Sequence, residues 1–189
     1  MGAMVQGGYV RLALPGEAGD IAALQLQTWQ EPDHPGHAMA AAIDLDEATV
    51  VWYRSITRPP LASYRVLVAV VPAPHGSTGR VEQVVGFVAV GPSDDPDANP
   101  TDGAVAELAV AADVRADGHR TRLIQAAVDT MRADGFTEAS WWVGSTDDSL
   151  RAELAESGWA PDGAHVELRD TDDDDARVKL LRYLTDISA

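Results

Sequence analysis

The sequence predicts a single domain of the α+β class. Its 189 residues suit one domain with a sizeable hydrophobic core. The apolar patterns indicate strands and helices in the order β-α-α-β-β-β-α-β-α-β-β, which lacks the strict alternation of a parallel α/β fold. We assign the domain to residues 9–189. The start Met-Gly-Ala-Met resembles the remnant of an expression tag, so we treat residues 1–8 as a tag or a disordered N-terminus.

The first half of the chain contains two predicted helices and three predicted strands. The first helix follows the turn Pro15-Gly16 and carries Ile21, Leu24 and Trp29 roughly on one face. The second helix stops before Pro59-Pro60. A turn rich in Pro and Gly joins the second and third strands, which predicts a hairpin. The helices are residues 17–29 and 46–56, and the strands are residues 10–14, 64–71 and 81–90.

The second half contains the clearest helix pattern of the chain, at residues 118–133. Ile124, Ala127 and Met131 recur at the spacing of one helix face. Gly135 stands where a C-terminal cap belongs. The remaining helix is residues 147–157, with Thr146 or Asp147 as its N-cap, and the remaining strands are residues 104–110, 137–143, 165–169 and 178–184.

The composition excludes several classes of function. A formal net charge of −16 argues against nucleic acid or an anionic membrane as the main partner. The charge suits a cationic substrate such as an amine, and it equally serves solubility. Part of it lies in residues 170–175, predicted to form a solvated hairpin loop.

Cysteine and signal patterns narrow the classes further. The absence of cysteine excludes disulfides, thiolate zinc sites and a cysteine nucleophile. Since no set of His, Asp and Glu has metal-ligand spacing, we expect no metal. We find no secretory signal pattern and no apolar run of membrane-spanning length, so we expect a cytoplasmic protein.

One stretch near the middle of the chain carries most of the functional information. The strand that ends in Glu107-Leu108-Ala109-Val110 leads to the turn Arg115-Ala116-Asp117-Gly118-His119-Arg120-Thr121 and then to the long helix. Such a turn presents backbone N–H groups at a helix N-terminus, which is a ready anion site. Three of the 14 Lys and Arg residues lie between Arg115 and Arg122. A basic spot at this point of an acidic protein predicts a phosphate-bearing ligand.

This motif and the order of elements resemble the GNAT superfamily of acyl-CoA-dependent N-acetyltransferases, bacterial type. In that family a strand ending in Val leads to Arg or Gln, any two residues, Gly, any residue, and Gly or Ala. Val110, Arg115 and Gly118 fall on this pattern. Trp141-Trp142-Val143 and Gly158-Trp159 are similar to the family's next strand and next helix end. The resemblance runs from about residue 10 to residue 184, and it implies a mixed, mostly antiparallel sheet flanked by helices on both faces.

The resemblance implies a donor site for acetyl-CoA as cosubstrate. The strand at Leu108, Ala109 and Val110 would splay from its neighbour and bind the pantetheine arm, and an N–H near Val110 would polarise the thioester carbonyl. The pyrophosphate would bind to the backbone N–H groups of the turn, because preorganised N–H groups favour negative charge. The turn residues are Arg115, Ala116, Asp117, Gly118, His119, Arg120 and Thr121.

Four positions depart from the family pattern. Arg120 stands where Gly or Ala is usual, and its guanidinium either obstructs the phosphates or binds beside them. Asp117 adds a negative charge to a loop that is usually neutral or basic. Leu154 stands where many members carry a tyrosine that protonates the leaving thiolate. Asp147 stands where many members carry an asparagine.

Glu107 is the candidate catalytic base, because an ammonium must lose its proton before it attacks a thioester. The alternative is a strand carboxylate that faces solvent or pairs with an arginine. His34 and His37 lie in the loop that walls the acceptor pocket in the family, and the alternative is a pair of solvated histidines.

The basic residues of the turn are predicted to contact the ligand. The alternative is that they balance nearby acids such as Asp113 and Asp117, while the ring of His119 faces solvent. The five tryptophans are expected in the core or in a pocket lining: Trp29, Trp52, Trp141, Trp142 and Trp159.

Three functions remain open from the sequence alone. The resemblance favours an N-acetyltransferase that transfers acetyl directly to a primary amine of a small molecule or protein. The second is a catalytically inactive GNAT-like binding or regulatory module whose acetyl-CoA site is impaired at Arg120 and Leu154. The third is a small acidic protein that binds a basic partner. Acceptor specificity is expected in the loops at residues 29–46 and 92–103, and the resemblance is compatible with a homodimer.

Overall fold

The sheet is mixed and mostly antiparallel, as predicted. The computed structural model describes residues 8–32, 34–73, 79, 81–169 and 177–188. The strands are β1 Tyr9–Leu12, β2 Arg65–Pro72, β3 Glu82–Pro92, β4 Asp102–Val110, β5 Glu138–Gly144, β6 Ala160–Arg169 and β7 Arg177–Asp186. These seven strands form one sheet in the order β1-β2-β3-β4-β5-β7-β6, and within the described residues β4 and β5 are the one parallel pair.

Helices cover both faces of the sheet, which confirms the predicted architecture. One face buries Val68, Val70 and Phe87 beneath the first and third helices. The other face buries Leu123 and Leu154 from the fourth and fifth helices. The helices are α1 Ala18–Trp29, α2 His37–Ala40, α3 Leu45–Thr57, α4 His119–Ala133 and α5 Asp148–Glu156, with short 3₁₀ helices at Pro15–Glu17 and Ala112–Asp117.

Several elements differ from the sequence-based prediction, mostly by one or two residues at an end, and three of them are informative. Helix α2 was not predicted, because four residues are too few to show a helical period. Strand β4 begins two residues earlier than predicted, at Asp102. Strand β6 begins at Ala160 instead of residue 165, because an irregularity between Pro161 and His165 places turn-forming residues inside the strand. The predictions for residues 1–7 and for the loop at residues 170–175 lie outside the described residues.

None of the helices in the described part of the chain combines the length and the apolar character that crossing a bilayer needs.

A β-bulge at Ala106 shapes the centre of the sheet. Ala89 of β3 lies opposite Glu107 and Val90 lies opposite Val105, so Ala106 is an extra residue. Val105 packs in the core beneath α4, and the extra residue turns Glu107 to the opposite face, toward α1.

The parallel pairing of β4 with β5 stops at the same point. It joins Asp102–Val105 to β5 and extends no further, although β5 continues to Gly144 beside β7. The last part of β4 therefore borders a gap in the sheet.

Arg182 of β7 fastens the loop between β3 and β4. Its guanidinium contacts Asp97 at 2.6 and 2.8 Å, Asp162 at 2.7 Å and Asp95 at 3.4 Å. The Trp142 indole donates to Asp95 at 2.8 Å, and the Arg182 guanidinium lies 5.7 Å from the centroid of that ring. These carboxylates hold the pKa of Arg182 above its usual range, while Arg182 lowers the pKa of Asp97.

We expect Arg182→Gln to lower the free energy of unfolding by about 1–3 kcal/mol, because it leaves three carboxylates without their shared cation. Arg177→Gln is the matched control on the same strand, since the Arg177–Glu167 pair spans 3.8 Å and is half exposed. It should cost less than about 0.5 kcal/mol. Urea unfolding at pH 7 measures both, and equal losses would contradict the structural role of Arg182.

Candidate active site

The gap between β4 and β5 exposes backbone N–H groups. The N–H of Ala111 donates to the carbonyl of Val85 on β3 at 2.9 Å. Because N–H groups alternate in direction along a strand, those of Leu108 and Val110 point away from β3, into the gap. The predicted splay of Leu108, Ala109 and Val110 is therefore present as a geometric feature of the chain.

The Glu107 carboxylate lies beside this gap and accepts two side-chain hydrogen bonds. The indole Nε1 of Trp29 and the amide Nε2 of Gln25 both donate to Oε2 at 3.3 Å. Within the described residues, no cationic side chain forms an ion pair with Glu107. The alternative of an arginine-paired carboxylate is therefore not what the structure shows.

A loop after α1 holds the Trp29 indole in place. The His34 imidazole stacks on it with ring centroids 6.0 Å apart, and His34 Nδ1 accepts a hydrogen bond from the N–H of Gly36 at 3.0 Å. A Cβ on Gly36 would lie 2.4 Å from the indole, so only glycine allows this approach. The same loop reaches β5, where Pro35 lies over Gly144. His34 is half-buried, whereas His37 is exposed.

Burial raises the pKa of Glu107 to about 7. The hydrogen bonds from Trp29 and Gln25, and the backbone N–H of Leu108, oppose this rise because they stabilise the charged form. Glu107 therefore exchanges its proton near neutral pH, as a catalytic base for an amine requires.

The N-terminus of α4 is the element for which the sequence predicts anion binding. Gly118 precedes the helix with φ at +72°, a left-handed conformation that favours glycine, and no side chain caps the helix there. A Cβ at Gly118 would meet no atom within 4 Å, so the turn is open on that side. The N–H groups of His119, Arg120 and Thr121 lie in the first turn, where helix geometry provides no intrahelical acceptor.

Two arginines of the turn pair with acidic side chains, while the predicted contact with a ligand stays a prediction. Arg115 pairs with Glu31, and its Nε lies 3.4 Å from the carbonyl of Val110. Arg120 pairs with Glu153 of α5 and donates to Ser149 at 2.8 Å. The acidic partners are therefore Glu31 and Glu153, whereas the alternative had named Asp113 and Asp117 as examples.

Glu153 also accepts a hydrogen bond from the Thr121 hydroxyl. One carboxylate on α5 thus engages two consecutive side chains at the start of α4. This arrangement directs the Arg120 guanidinium to α5, which neither of the two sequence-based alternatives for Arg120 anticipated.

His119 is buried, which contradicts the alternative in which its ring faces solvent. Its side chain is 3% exposed and lies against Gly8. Burial lowers its pKa, and Arg122 donates to its Nδ1 at 3.2 Å. Only the backbone of His119 is available to a ligand.

Two other departures from the family pattern have structural roles on α5. Leu154 is fully buried in the core, so no side chain there reaches the gap. Asp147 is the N-cap of α5, since its carboxylate accepts from the N–H of Leu150 at 2.9 Å.

Sequence reasoning missed Gln25 and underestimated Trp52, which it assigned only to the core or a pocket lining. Gln25 precedes Trp29 by four residues, so both side chains lie on one face of α1. A polar residue between Leu24 and Leu26 was the signal that the sequence offered. Its partner on β4 was not identifiable from the sequence, because 82 residues separate them.

Comparison with known proteins identifies the family. A family model described as the Acetyltransferase (GNAT) family matches residues 24–158, well over half of the chain. The chain belongs to this family. It is therefore an acetyltransferase, and acetyl-CoA is the acyl donor of the family. Among curated proteins, none matches the sequence significantly.

Solved structures share the whole fold at low sequence identity. An N-acetyltransferase from Staphylococcus aureus Mu50 matches with a TM-score of 0.73 and 15% identity over 96% of this chain and 99% of that chain. A ribosomal-protein-alanine N-acetyltransferase from Brucella melitensis matches with a TM-score of 0.70 and 15% identity over 94% of this chain and 98% of that chain. The yncA protein of Salmonella typhimurium, whose structure includes its cofactor acetyl-CoA, matches with a TM-score of 0.69 and 14% identity over 97% of this chain and 95% of that chain.

The raised pKa of Glu107 makes stability depend on pH. The folded protein binds this proton more tightly than the unfolded chain, so Glu107 destabilises the fold as pH rises from the usual value of 4.5 through about 7. Glu107→Gln removes that penalty. We expect the free energy of unfolding of the variant to exceed that of the wild type by about 1–2 kcal/mol at pH 8 and by little at pH 5. The figure at pH 8 allows for the partial exposure of Glu107, which weakens the effect of burial. Urea unfolding at both pH values measures the difference, and a difference independent of pH would contradict the assignment.

Proposed function

We propose that this chain transfers the acetyl group of acetyl-CoA directly to a primary amine of a small molecule or protein, with Glu107 as the catalytic base. The observation that carries the proposal is the position of Glu107. Its carboxylate lies beside the gap between β4 and β5, is held by two N–H donors, and has a pKa near 7. A carboxylate in this state accepts a proton from an ammonium group at neutral pH.

The donor site is proposed along the end of β4 and the turn that follows it. The N–H group of Val110 points into the gap and would bind the pantetheine arm, with Leu108 and Ala109 alongside it. The phosphates would bind to the backbone of the turn at the start of α4, formed by Arg115, Ala116, Asp117, Gly118, His119, Arg120 and Thr121. Acetyl-CoA supplies the activated acetyl thioester.

Direct transfer follows from the side chains available. The chain contains no cysteine, so an acyl-cysteine route does not apply. Glu107 Oε2 accepts from Trp29 and Gln25, which leaves Oε1 to take the proton of the acceptor amine or of a water between them.

A cationic amine fits the charge of the acceptor side. Three carboxylates surround Arg182 where the loop between β3 and β4 meets β5, so this cluster carries net negative charge. The net charge of the chain, −16, has the same sign and attracts a cation over a longer range.

We expect Glu107→Gln to lower kcat for acetyl transfer by about 10²- to 10⁴-fold, because the amide cannot accept the ammonium proton. Acetyl-CoA affinity should remain within about threefold. Thiol release from acetyl-CoA with polyamines, amino acids and lysine peptides measures turnover, and calorimetry measures binding. Glu156→Gln, on the exposed face of α5, is the control. Undiminished turnover in Glu107→Gln would reject Glu107 as the base.

The second candidate function is a GNAT-like module without catalysis. The pairing of Arg120 with Glu153 favours it, because a negative carboxylate lies next to the proposed phosphate site. The buried Leu154 also provides no acid for a leaving thiolate. Acetyl-CoA binding without consumption in the presence of any amine would support this alternative.

We expect Glu153→Gln to tighten acetyl-CoA binding by about 3- to 10-fold, because it removes a negative charge and releases the Arg120 guanidinium toward the phosphates. Glu156→Gln makes the same charge change about one turn further along α5 and should have little effect. Calorimetry with acetyl-CoA and with free CoA measures both variants. Weaker binding in Glu153→Gln would show that the Arg120–Glu153 pair supports the donor site.

A further inference from the structure

Two consecutive hydrogen bonds connect helix α3 to the Glu107 carboxylate through the side chain of Gln25. Trp52 Nε1 donates to Gln25 Oε1 at 2.8 Å, and Gln25 Nε2 donates to Glu107 Oε2 at 3.3 Å. Trp52 itself is 8% exposed and packs edge to face against Phe87, with ring centroids 5.0 Å apart. The hydrogen bonds thus begin at a buried core residue on α3 and cross α1 to reach β4.

The chemistry of these groups fixes the direction of every bond. An indole N–H donates and has no acceptor atom, so Gln25 must present its carbonyl oxygen to Trp52. The amide nitrogen of Gln25 then faces Glu107, and because it only donates, Glu107 Oε2 must accept. The usual ambiguity in the orientation of a glutamine amide is removed here by its neighbour.

Both lone pairs of Glu107 Oε2 are engaged, because Trp29 Nε1 donates to the same oxygen at 3.3 Å. None of the described side chains donates to Oε1. The backbone N–H of Leu108 also interacts with the carboxylate. Oε1 is the oxygen that no described side chain engages, so we expect it to accept the proton.

We infer that Gln25 is a positioning residue for Glu107 and that Trp52 acts through it, so that the carboxylate presents Oε1 to the acceptor amine. This inference rests on the proposed function, in which Glu107 is the base. Gln25 contacts no reacting atom in this scheme. It orients the carboxylate and stabilises its charged form.

The surroundings of Glu107 contain no competing charge in the described part of the chain. Its pKa reflects burial, Trp29, Gln25 and the N–H of Leu108, with no contribution from a cationic or anionic side chain. Removal of one N–H donor should therefore raise its pKa without compensation.

The test compares Gln25→Leu with Gln27→Leu. Gln27 lies on the same helix but is exposed, so the control makes the same substitution without the contact to Glu107. Carbon-13 NMR titration of glutamate carboxyls in the full chain measures the pKa of Glu107, and its resonance is identified by its loss in Glu107→Gln. We expect Gln25→Leu to raise this pKa by about one pH unit and Gln27→Leu to leave it unchanged.

Trp52→Phe tests the second link while keeping the aromatic contact with Phe87. The Gln25 amide is then free to rotate, so we expect a smaller rise in the pKa of Glu107. In the Gln25→Leu background, Trp52→Phe should add no further shift, because it acts only through Gln25. An additional shift in the pKa of Glu107 in the double variant would overturn the inference that Trp52 acts through Gln25. An unchanged pKa in Gln25→Leu would overturn the positioning role of Gln25.

The pH profile of kcat/KM separates this inference from the proposed function. If Glu107 is the base, the acidic limb of the profile should move with its NMR pKa in every variant. If the NMR pKa of Glu107 shifts while the pH profile of kcat/KM does not, the positioning role of Gln25 is supported and Glu107 is rejected as the base. If Gln25→Leu fails to fold, Gln25→Met removes the same donor in an unbranched side chain.

Discussion

The architecture of the site depends on one extra residue in β4. The bulge at Ala106 coincides with the end of the parallel pairing to β5, so a single local irregularity both opens the sheet and reverses the side-chain alternation. Without it, Glu107 would share a face with Val105 and point into the apolar core beneath α4. The gap and the carboxylate beside it are therefore consequences of the same distortion of the strand.

Burial of the Glu107 carboxylate is tolerated because α1 provides the groups that solvate it. Desolvation favours the neutral acid, while two N–H donors on successive turns of one helix favour the carboxylate. These opposing effects leave the pKa of Glu107 at about 7, so its neutral and charged forms are similarly populated at neutral pH. Trp29 and Gln25 are themselves held, by the loop containing His34 and by Trp52, so the donors are preorganised.

Local patterns predicted much of the fold and the position of the turn that we propose to bind phosphates. The spacing of Arg115 and Gly118, followed by the apolar face of α4, is contained within about two helical turns of sequence. Side-chain partners were not predictable in the same way. Glu31 lies 84 residues from Arg115 and Glu153 lies 33 from Arg120, and no periodicity connects them. The orientation of Glu107 depended on a bulge, which hydrophobic alternation does not reveal.

The Arg182 cluster joins the loop between β3 and β4 to the two strands at the far edge of the sheet. One guanidinium holds Asp95 and Asp97 of the loop after β3 together with Asp162 of β6. Local opening of this loop therefore requires loss of contacts to two other strands, which places it in the same cooperative unit as β6 and β7. This constrains how the loop can change in evolution. A loop of new length or sequence must retain carboxylates for Arg182, or the arginine must be replaced at the same time.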